Sequence, residues 1–396
     1  MQSYSIYNAN KVNIAVAITL LYVPLMGYIG GLFDQGMVYN VLQVIYLITF
    51  LMAFPSAVKC LNRKIALFVS AYTFLLILSY LMATDTNVFR LVFNTIFLWC
   101  VPYFILSFSI RNYEDLLVKL KYVSILMIIL GYLRTFTLAF SSDSYSQDLG
   151  YDVLLPFIVY FISYIKEKKI WYLIPIIISL ALIFMSGSRG PLLCAMAGAI
   201  LAYSIIKGIN IRDIYSFSLL FIVYVIYSVY RIEILTWILD IFNSINVSVR
   251  SIELLLYDDI TNDDARDKLR SIATNYILEH PILGSGFIND RIYIYSNYVM
   301  NKTATVYGSY CHNFFLEILM QFGLLPGIII IIIFIRKMVF TFKSAISQIE
   351  REYLIVITTI GIFPLLVSRS WITFHLFYMV LGTLLVSNKN KTIWHQ

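Results

Sequence analysis

Few side chains in this sequence are suited to acid–base chemistry. The 396-residue chain contains four histidines, at positions 280, 312, 375 and 395. His312 is the best candidate because it stands between a long polar segment and an apolar one, and an imidazole titrates near neutral pH. Glu317 lies five residues further along the chain and is the fallback base. The alternative for His312 is a histidine that only hydrogen-bonds the start of a helix.

Arginines form a second candidate set. A guanidinium stays charged and presents a planar fork that matches two oxygens of a phosphate or pyrophosphate at once. On one predicted side of the membrane, eleven basic residues include nine arginines, with only Lys268 and Lys302 beside them. The arginines are Arg90, Arg134, Arg189, Arg231, Arg250, Arg266, Arg270, Arg291 and Arg369. This set predicts an anionic, phosphate-bearing ligand on that side, whereas any single arginine could instead extend its charge to lipid headgroups.

Two glycine-containing breaks lie among these residues. Residues 186–191 have the sequence S-G-S-R-G-P and separate two apolar segments, with Pro191 suited to the first turn of the second. Arg189 and the backbone N–H groups of that helix start could hold an anion, or the segment could be a tight turn only. Residues 280–286 have the sequence H-P-I-L-G-S-G and favour a structural turn, since the G-x-G-x-x-G spacing of a nucleotide loop is missing.

The elements that carry these residues belong in a membrane. Hydrophobic residues make up 60% of the chain, charged residues 13%, and the mean hydropathy is +0.81, which fits no water-exposed fold. A helix of about 20 apolar residues spans a bilayer because it pairs its own backbone polar groups. The hydropathy predicts an all-α polytopic membrane protein with about twelve transmembrane helices. They are expected near residues 12–32, 37–58, 64–83, 88–109, 118–140, 150–165, 170–187, 190–207, 214–232, 312–335, 353–368 and 371–388.

The predicted spans divide the chain into three regions. Residues 1–232 carry spans one to nine, residues 233–311 form a long extracytoplasmic loop, and residues 312–396 carry spans ten to twelve and a cytoplasmic C-terminus. Within the loop, residues 264–279 have apolar side chains at helical spacing, so we expect a helix lying at the membrane surface.

The basic residues of the short loops predict the orientation. Lys and Arg in such loops stay on the cytoplasmic side, and here they fall in every second gap between spans. Both termini are therefore expected in the cytoplasm, and the long loop on the periplasmic side of the inner membrane. The amino terminus lacks the features of a cleaved secretory signal, so we expect the first span to be retained.

Composition argues against several other kinds of site. The net charge of +7 is explained by cytoplasmic loops that face anionic lipid, so no nucleic-acid partner is expected. The four cysteines lack C-x-x-C or metal-ligand spacing and are expected to be packing residues. The acidic run at positions 258, 259, 263 and 264 lacks the ligand order of a calcium loop, which favours a solvated surface over a metal site.

Taken together, the motifs resemble those of the O-antigen polymerase and O-antigen ligase superfamily, also called the Wzy and WaaL families. The resemblance covers about residues 186–327. Its elements are the S-G-S-R-G-P break, Arg266 at the start of the loop helix, the H-P-I-L-G-S-G turn, and the segment H-N-F-F-L-E-I-L-M-Q-F-G-L-L-P-G that begins at His312.

The resemblance implies a metal-independent membrane glycosyltransferase of the GT-C-like class that uses no cofactor. Its substrate would be an oligosaccharide on undecaprenyl pyrophosphate within membrane lipid, and a chain-length regulator protein would be a further partner. By the family pattern, Arg189 and Arg266 hold the leaving pyrophosphate, and His312 activates the acceptor hydroxyl or orients the reacting groups. Further substrate-binding candidates are Arg90, Arg134, Arg291 and Arg369, from their position alone, and His280, Asn313 and Glu317, from the matching segments.

Three functions stay open at this point. The leading hypothesis is a polysaccharide polymerase that moves a growing chain onto a single lipid-linked repeat. A ligase that passes finished polysaccharide to a lipid A core needs the same arginines. A flippase or transporter of the lipid-linked sugar is the third, but transporters place ionisable residues near the bilayer midplane and show repeat symmetry, whereas the charges here cluster on the outer side.

Overall fold

The computed structural model describes residues 2–29, 37–83, 85–139, 147–186, 188–208, 230–244, 264–298 and 305–386. Within these ranges every regular element is a helix. The α-helices are α1 (Gln2–Ile29), α2 (Met37–Val58), α3 (Arg63–Leu81), α4 (Thr86–Thr95), α5 (Val101–Ser109), α6 (Tyr113–Ala139), α7 (Gln147–Asp152), α8 (Leu154–Glu167), α9 (Leu173–Met185), α10 (Arg189–Lys207), α11 (Arg231–Ser244), α12 (Asp264–Glu279), α13 (Asn289–Asn297), α14 (Phe314–Phe322), α15 (Leu324–Lys343), α16 (Gln348–Gly361), α17 (Phe363–Val367) and α18 (His375–Leu385).

Eight of the described helical segments are long and apolar enough to cross a membrane, and two further apolar helices are shorter. The chain is therefore a multi-pass membrane protein, as its hydropathy predicts, and its described ranges are all-helical. One of the eight spans is the continuous segment Thr86–Ser109, in which a π-helical turn, Ile96–Cys100, joins α4 to α5. The expected ninth span, 214–232, and the acidic run at 258–264 lie almost wholly outside the described residues.

The tenth predicted span, 312–335, is interrupted in the structure. Gly323 has a φ of 85°, a left-handed conformation that ends α14, and α15 begins at the next residue and runs to Lys343. The eleventh predicted span, 353–368, is also broken, because Ile362 and Pro364 separate α16 from the short α17. Hydropathy averages over such breaks, so a window of about 20 residues does not detect them.

The core lies around α8, α16 and α18, whose side chains are mostly buried. By contrast α2, α3 and α15 expose large apolar side chains along most of their length, as expected for helices that face lipid tails. The central position of α8 matters for the site, since α7 leads directly into it.

Helix α12 confirms the helix predicted over residues 264–279. Its buried face consists of Leu269, Ala273 and Ile277, which are spaced four residues apart and pack with Ile294 of α13 and Met320 of α14. The segment before the interrupted tenth span is thereby fixed to the start of that span.

Candidate active site

A polar cavity of about 660 Å³ lies among α1, the Thr86–Ser109 helix, α6, α7 and two loops. Three of the predicted arginines line it: Arg134 from α6, Arg291 from α13 and Arg369 from the segment before α18. These residues are far apart in sequence, so the fold brings together side chains that the sequence identified only by type.

Arg369 is held by one carboxylate and two aromatic rings. Its guanidinium is hydrogen-bonded to Asp148 of α7. The same guanidinium lies 4.8 Å from the ring centre of Tyr151 and 5.8 Å from that of Phe374. A cation above an aromatic face is attracted by the ring quadrupole. Arg369 is therefore fixed in the wall of the cavity and its charge is matched by Asp148.

Arg134 of α6 also lines the cavity and pairs with a different carboxylate. Its Nη1 lies 3.5 Å from an Oδ2 oxygen of Asp152, the last residue of α7. The guanidinium lies against Gly27 of α1, and a Cβ at that position would lie 2.5 Å from Arg134 Nη1, so a larger residue there would make the guanidinium move. Asp148 and Asp152 are one helical turn apart, which directs both carboxylates toward the arginines.

Arg291 is the most deeply buried of the three arginines. Its guanidinium donates to the Tyr307 carbonyl and, over 2.7 Å, to Ser370 Oγ, and it lies 5.1 Å from the ring centre of Tyr310. The Ser370 hydroxyl in turn donates to the buried carboxylate of Glu317. Ser370 therefore links the buried guanidinium of Arg291 to the buried carboxyl group of Glu317, so that both have a hydrogen-bonding partner.

Glu317 also fixes the chain that carries Ser370. Its second oxygen accepts from the Trp371 backbone N–H over 3.2 Å. The neighbouring carboxyl of Asp290 is buried as well, and this burial raises its pKa above the usual aspartate range. Glu317, the fallback base of the sequence, is thus part of the support of Arg291 rather than of the cavity surface.

His312 lies directly beside the cavity wall. Its ring is 4.2 Å from that of Tyr310, centre to centre, and its Nδ1 is 2.9 Å from the Ser368 carbonyl oxygen. A carbonyl only accepts hydrogen bonds, so Nδ1 must carry the proton and the lone pair of the neutral ring lies on Nε2. This tautomer is the one that a general base needs.

The backbone at His312 also has a strained conformation. Its φ is 51°, in the left-handed region that residues with a side chain rarely adopt. Such strain persists where surrounding contacts impose it, and it concentrates at functional sites. Tyr310 supplies one of those contacts by donating to the same Ser368 carbonyl over 2.9 Å, and burial keeps its hydroxyl protonated by raising its pKa.

The break at 186–191 packs behind the cavity wall. Helix α10 begins at Arg189, as the motif predicts. A Cβ on Gly190 would lie 2.4 Å from the Tyr151 hydroxyl, and one on Gly150 would lie 2.7 Å from Cγ of Pro191. The small residues of the motif therefore let α10 approach α7 closely. The side chain of Arg189 lies outside the described part of the structure, and its role stays a prediction.

The H-P-I-L-G-S-G turn has the structural role that its composition favours. Ser285 and Gly286 donate their backbone N–H groups to the carbonyls of Met320 and Gln321, over 2.8 and 3.1 Å, and Leu324 N–H donates to Pro281 over 2.8 Å. These bonds satisfy carbonyls at the end of α14 that have no partner within the helix. The turn and the break at Gly323 are thus two halves of one backbone junction.

Besides His312 and Glu317, four further predicted site residues do not line the cavity. Asn313 caps α14, accepting from Phe315 and Leu316 N–H over 3.0 and 3.1 Å. His280 is exposed at the end of α12 with its ring 4.6 Å from that of Tyr276. Arg90 is exposed on α4, and Arg266 lies in the first turn of α12. None of these side chains is among the residues that line the cavity.

Other residues of the site were missed by sequence reasoning. Asp148 and Asp152 lie in a predicted loop and at the start of a predicted span and are not among the predicted site residues, although two acids four residues apart at a span end are a recognisable signal. Tyr151, Tyr310 and Ser370 gave no signal of their own, because tyrosine and serine are frequent throughout the chain.

Residues 174–332 match the family model described as O-antigen ligase. The matched stretch contains the break at 186–191, helix α12, the turn at 280–286 and the start of the interrupted span, so the resemblance to the O-antigen polymerase and ligase superfamily is confirmed. No curated protein and no solved structure matches the chain.

Proposed function

From this family match we propose that the protein is a membrane glycosyltransferase that polymerises a surface polysaccharide such as O-antigen. It transfers the growing glycan from undecaprenyl pyrophosphate to a lipid-linked repeat unit, with the cavity facing the periplasm. The observation that carries the proposal is the position of His312, whose Nδ1 is held by the Ser368 carbonyl and whose ring packs against Tyr310 in the wall of a cavity that three arginines also line.

The proposed reaction is a displacement at the anomeric carbon of the donor. A hydroxyl oxygen of the acceptor sugar forms the new bond to that carbon while its proton passes to His312 Nε2. The bond between the anomeric carbon and the pyrophosphate breaks, and the electron pair leaves with the pyrophosphate. Negative charge grows on the leaving group, where Arg189 and Arg266, assigned from the family pattern, would stabilise it.

A ligase is the second candidate, favoured by the printed description of the matching family. It would use the same leaving group and the same base, but the acceptor hydroxyl would belong to a lipid A core. The two enzymes differ in acceptor alone, so substrates rather than variants separate them.

The test is an assay of the purified protein with defined lipid-linked substrates. Supplied only with its undecaprenyl-pyrophosphate-linked repeat unit, a polymerase produces a ladder of longer saccharides on a gel. Transfer that starts only when lipid A core is added identifies a ligase. A folded preparation that forms no glycosidic bond with either acceptor overturns both proposals and makes transport the leading function.

A further inference from the structure

Two of the three arginines in the cavity have carboxylate partners of their own. Arg134 pairs with Asp152 and Arg369 pairs with Asp148, and all four side chains line the cavity. An anion placed against either arginine would also meet a carboxylate a few ångströms away, and like charges repel strongly where little water is present. These two arginines are poorly suited to hold a pyrophosphate.

The uncharged lining of the same cavity combines aromatic rings with aliphatic side chains such as Leu20, Met127 and Ile360. The aromatic lining residues are Trp99, Tyr103, Tyr151, Tyr307, Tyr310 and Phe374. Aromatic rings offer flat apolar faces, whereas a carboxylate offers acceptors and a guanidinium offers donors. A sugar ring presents both kinds of surface, with apolar C–H faces and a rim of hydroxyls that donate and accept. Paired charges beside aromatic faces therefore match a neutral polyol better than an anion.

We propose that Asp148 and Asp152, with Arg369 and Arg134, bind the hydroxyls of the acceptor sugar. The cavity is then the acceptor-glycan subsite, separate from the groups that hold the pyrophosphate. The inference rests on the proposed function, and it makes the two aspartates specificity-determining residues. Each carboxylate accepts from a sugar hydroxyl while its arginine partner donates to the neighbouring one.

The test measures binding of two probes separately by calorimetry on the full-length protein. One probe is the oligosaccharide repeat released by mild acid from the host's lipid carrier, and the other is inorganic pyrophosphate. Hydrogen bonds to charged groups contribute about 1.5–3 kcal/mol, so Asp148→Asn and Asp152→Asn should each weaken oligosaccharide binding by about 10- to 100-fold. Pyrophosphate binding should not change.

Two control variants separate recognition from folding. Asp115→Asn removes a carboxylate from an ion pair with Lys119, in a part of α6 distant from Arg134 in sequence, and should leave oligosaccharide binding unchanged. The exchange Arg134→Asp with Asp152→Arg retains an ion pair but moves the carboxylate to the other helix. This double variant should have a thermal stability close to that of the wild type, but its affinity for the oligosaccharide should stay as low as that of Asp152→Asn.

Three results would overturn the inference. The first is that Asp148→Asn or Asp152→Asn binds pyrophosphate more tightly and the oligosaccharide with unchanged affinity. This result would show that the carboxylates occupy an anion-binding site rather than bind sugar. The second is recovery of oligosaccharide affinity in the exchanged pair, which would make the pair structural. The third is the absence of oligosaccharide binding to the wild-type protein. If the wild-type protein still produces a ladder of longer saccharides together with any of these results, the proposed function stands and only the subsite is wrong. If the wild-type protein binds the oligosaccharide but forms neither a ladder nor a ligated product, the subsite stands and the proposed function is wrong.

Discussion

Two cavities of similar volume and opposite chemistry share one helix. The polar cavity of about 660 Å³ receives Thr95, Trp99 and Tyr103 from the Thr86–Ser109 segment. A second cavity, of about 630 Å³, receives Phe93, Phe97 and other apolar side chains of the same segment, and its remaining lining from α2 and α3 is almost entirely apolar. A single helix can therefore separate a surface suited to sugars from a surface suited to hydrocarbon.

The difference follows from helical spacing. Positions 95, 99 and 103 are four residues apart and share one face, while 93, 97 and 104 lie on the other. The two cavities also differ in how they are held, because hydrogen bonds and ion pairs fix the polar one and ring contacts line the apolar one. Substitutions on one side should therefore leave the other side intact, which the control Phe97→Ala tests from the apolar side. Five further variants probe the polar cavity, the residues that support it and the predicted pyrophosphate site.

The largest effect is expected from Glu317→Ala, behind the polar cavity. The change removes the acceptor of the Ser370 hydroxyl, which itself bonds Arg291, and the acceptor of the Trp371 N–H, and each buried group left without its partner costs about 1–3 kcal/mol. The measurement is the free energy of unfolding in detergent. Glu317→Gln keeps an acceptor and should lose less, so equal stability of Glu317→Ala and the wild type would contradict the network.

His312→Ala should abolish chain extension while the protein stays folded in the membrane. Removing a general base typically costs a factor of about 10²–10⁴ in rate. The initial rate at which the saccharide ladder forms measures this loss. Phe97→Ala, on the apolar side, is the matched control and should retain activity, since Phe97 is 61% exposed. Full activity of His312→Ala would remove the base from the mechanism.

Arg189→Lys should lower activity by about 10- to 100-fold although it keeps the positive charge. A lysine lacks the planar fork, so one of two parallel hydrogen bonds to pyrophosphate would be lost, at about 1.5–3 kcal/mol. The rate with lipid-linked donor measures the effect, and protein levels in the membrane provide the control. Unchanged activity would return Arg189 to the role of a charge at the headgroups.

Gly27→Ala should disturb the Arg134–Asp152 ion pair, because Gly27 of α1 lies against the Arg134 guanidinium. The new methyl group would meet Arg134 Nη1 at 2.5 Å, and because the tip of this flexible side chain can move aside, the cost should lie near the low end of the about 1–3 kcal/mol typical of overpacking. Thermal unfolding measures the loss. In an Arg134→Ala background the same substitution has nothing to displace, so its cost should nearly vanish. A cost that persists in that background would locate the clash elsewhere.

Thr95→Val should have the smallest effect. It removes a 3.0 Å hydrogen bond between Thr95 Oγ1 and the Tyr307 hydroxyl, which ties the shared helix to the loop beside Arg291. The expected loss is about 0.5–1.5 kcal/mol in the free energy of unfolding. Thr49→Val is the matched control, because Thr49 is bonded only within its own helix, to Ile45. Equal losses in both variants would show that the Thr95 bond adds nothing across the cavity.

The sequence predicted the class of fold and the type of residue in the site better than the site itself. Apolar length identifies a membrane helix because the bilayer imposes it, and eight described helical segments have that length and composition. Helix α12 was instead predicted from the helical spacing of its apolar residues. The pairing of Arg134 with Asp152 could not be predicted, because it depends on how α6 packs against α7 and on the space left at Gly27. The break at Gly323 was missed for a related reason. The N–H of the next residue, Leu324, donates to the carbonyl of Pro281, which is more than 40 residues away in the sequence.

The junction between the 280–286 turn and the end of α14 has a consequence for biogenesis. Ser285 and Gly286 bond to carbonyls of residues 320 and 321, and Pro281 receives its bond from residue 324. A ribosome makes the turn first, so its N–H groups wait without these acceptors until the following span has been synthesised and inserted. The turn at 280–286 therefore completes its fold late, and a chain that stops before residue 324 leaves this junction open.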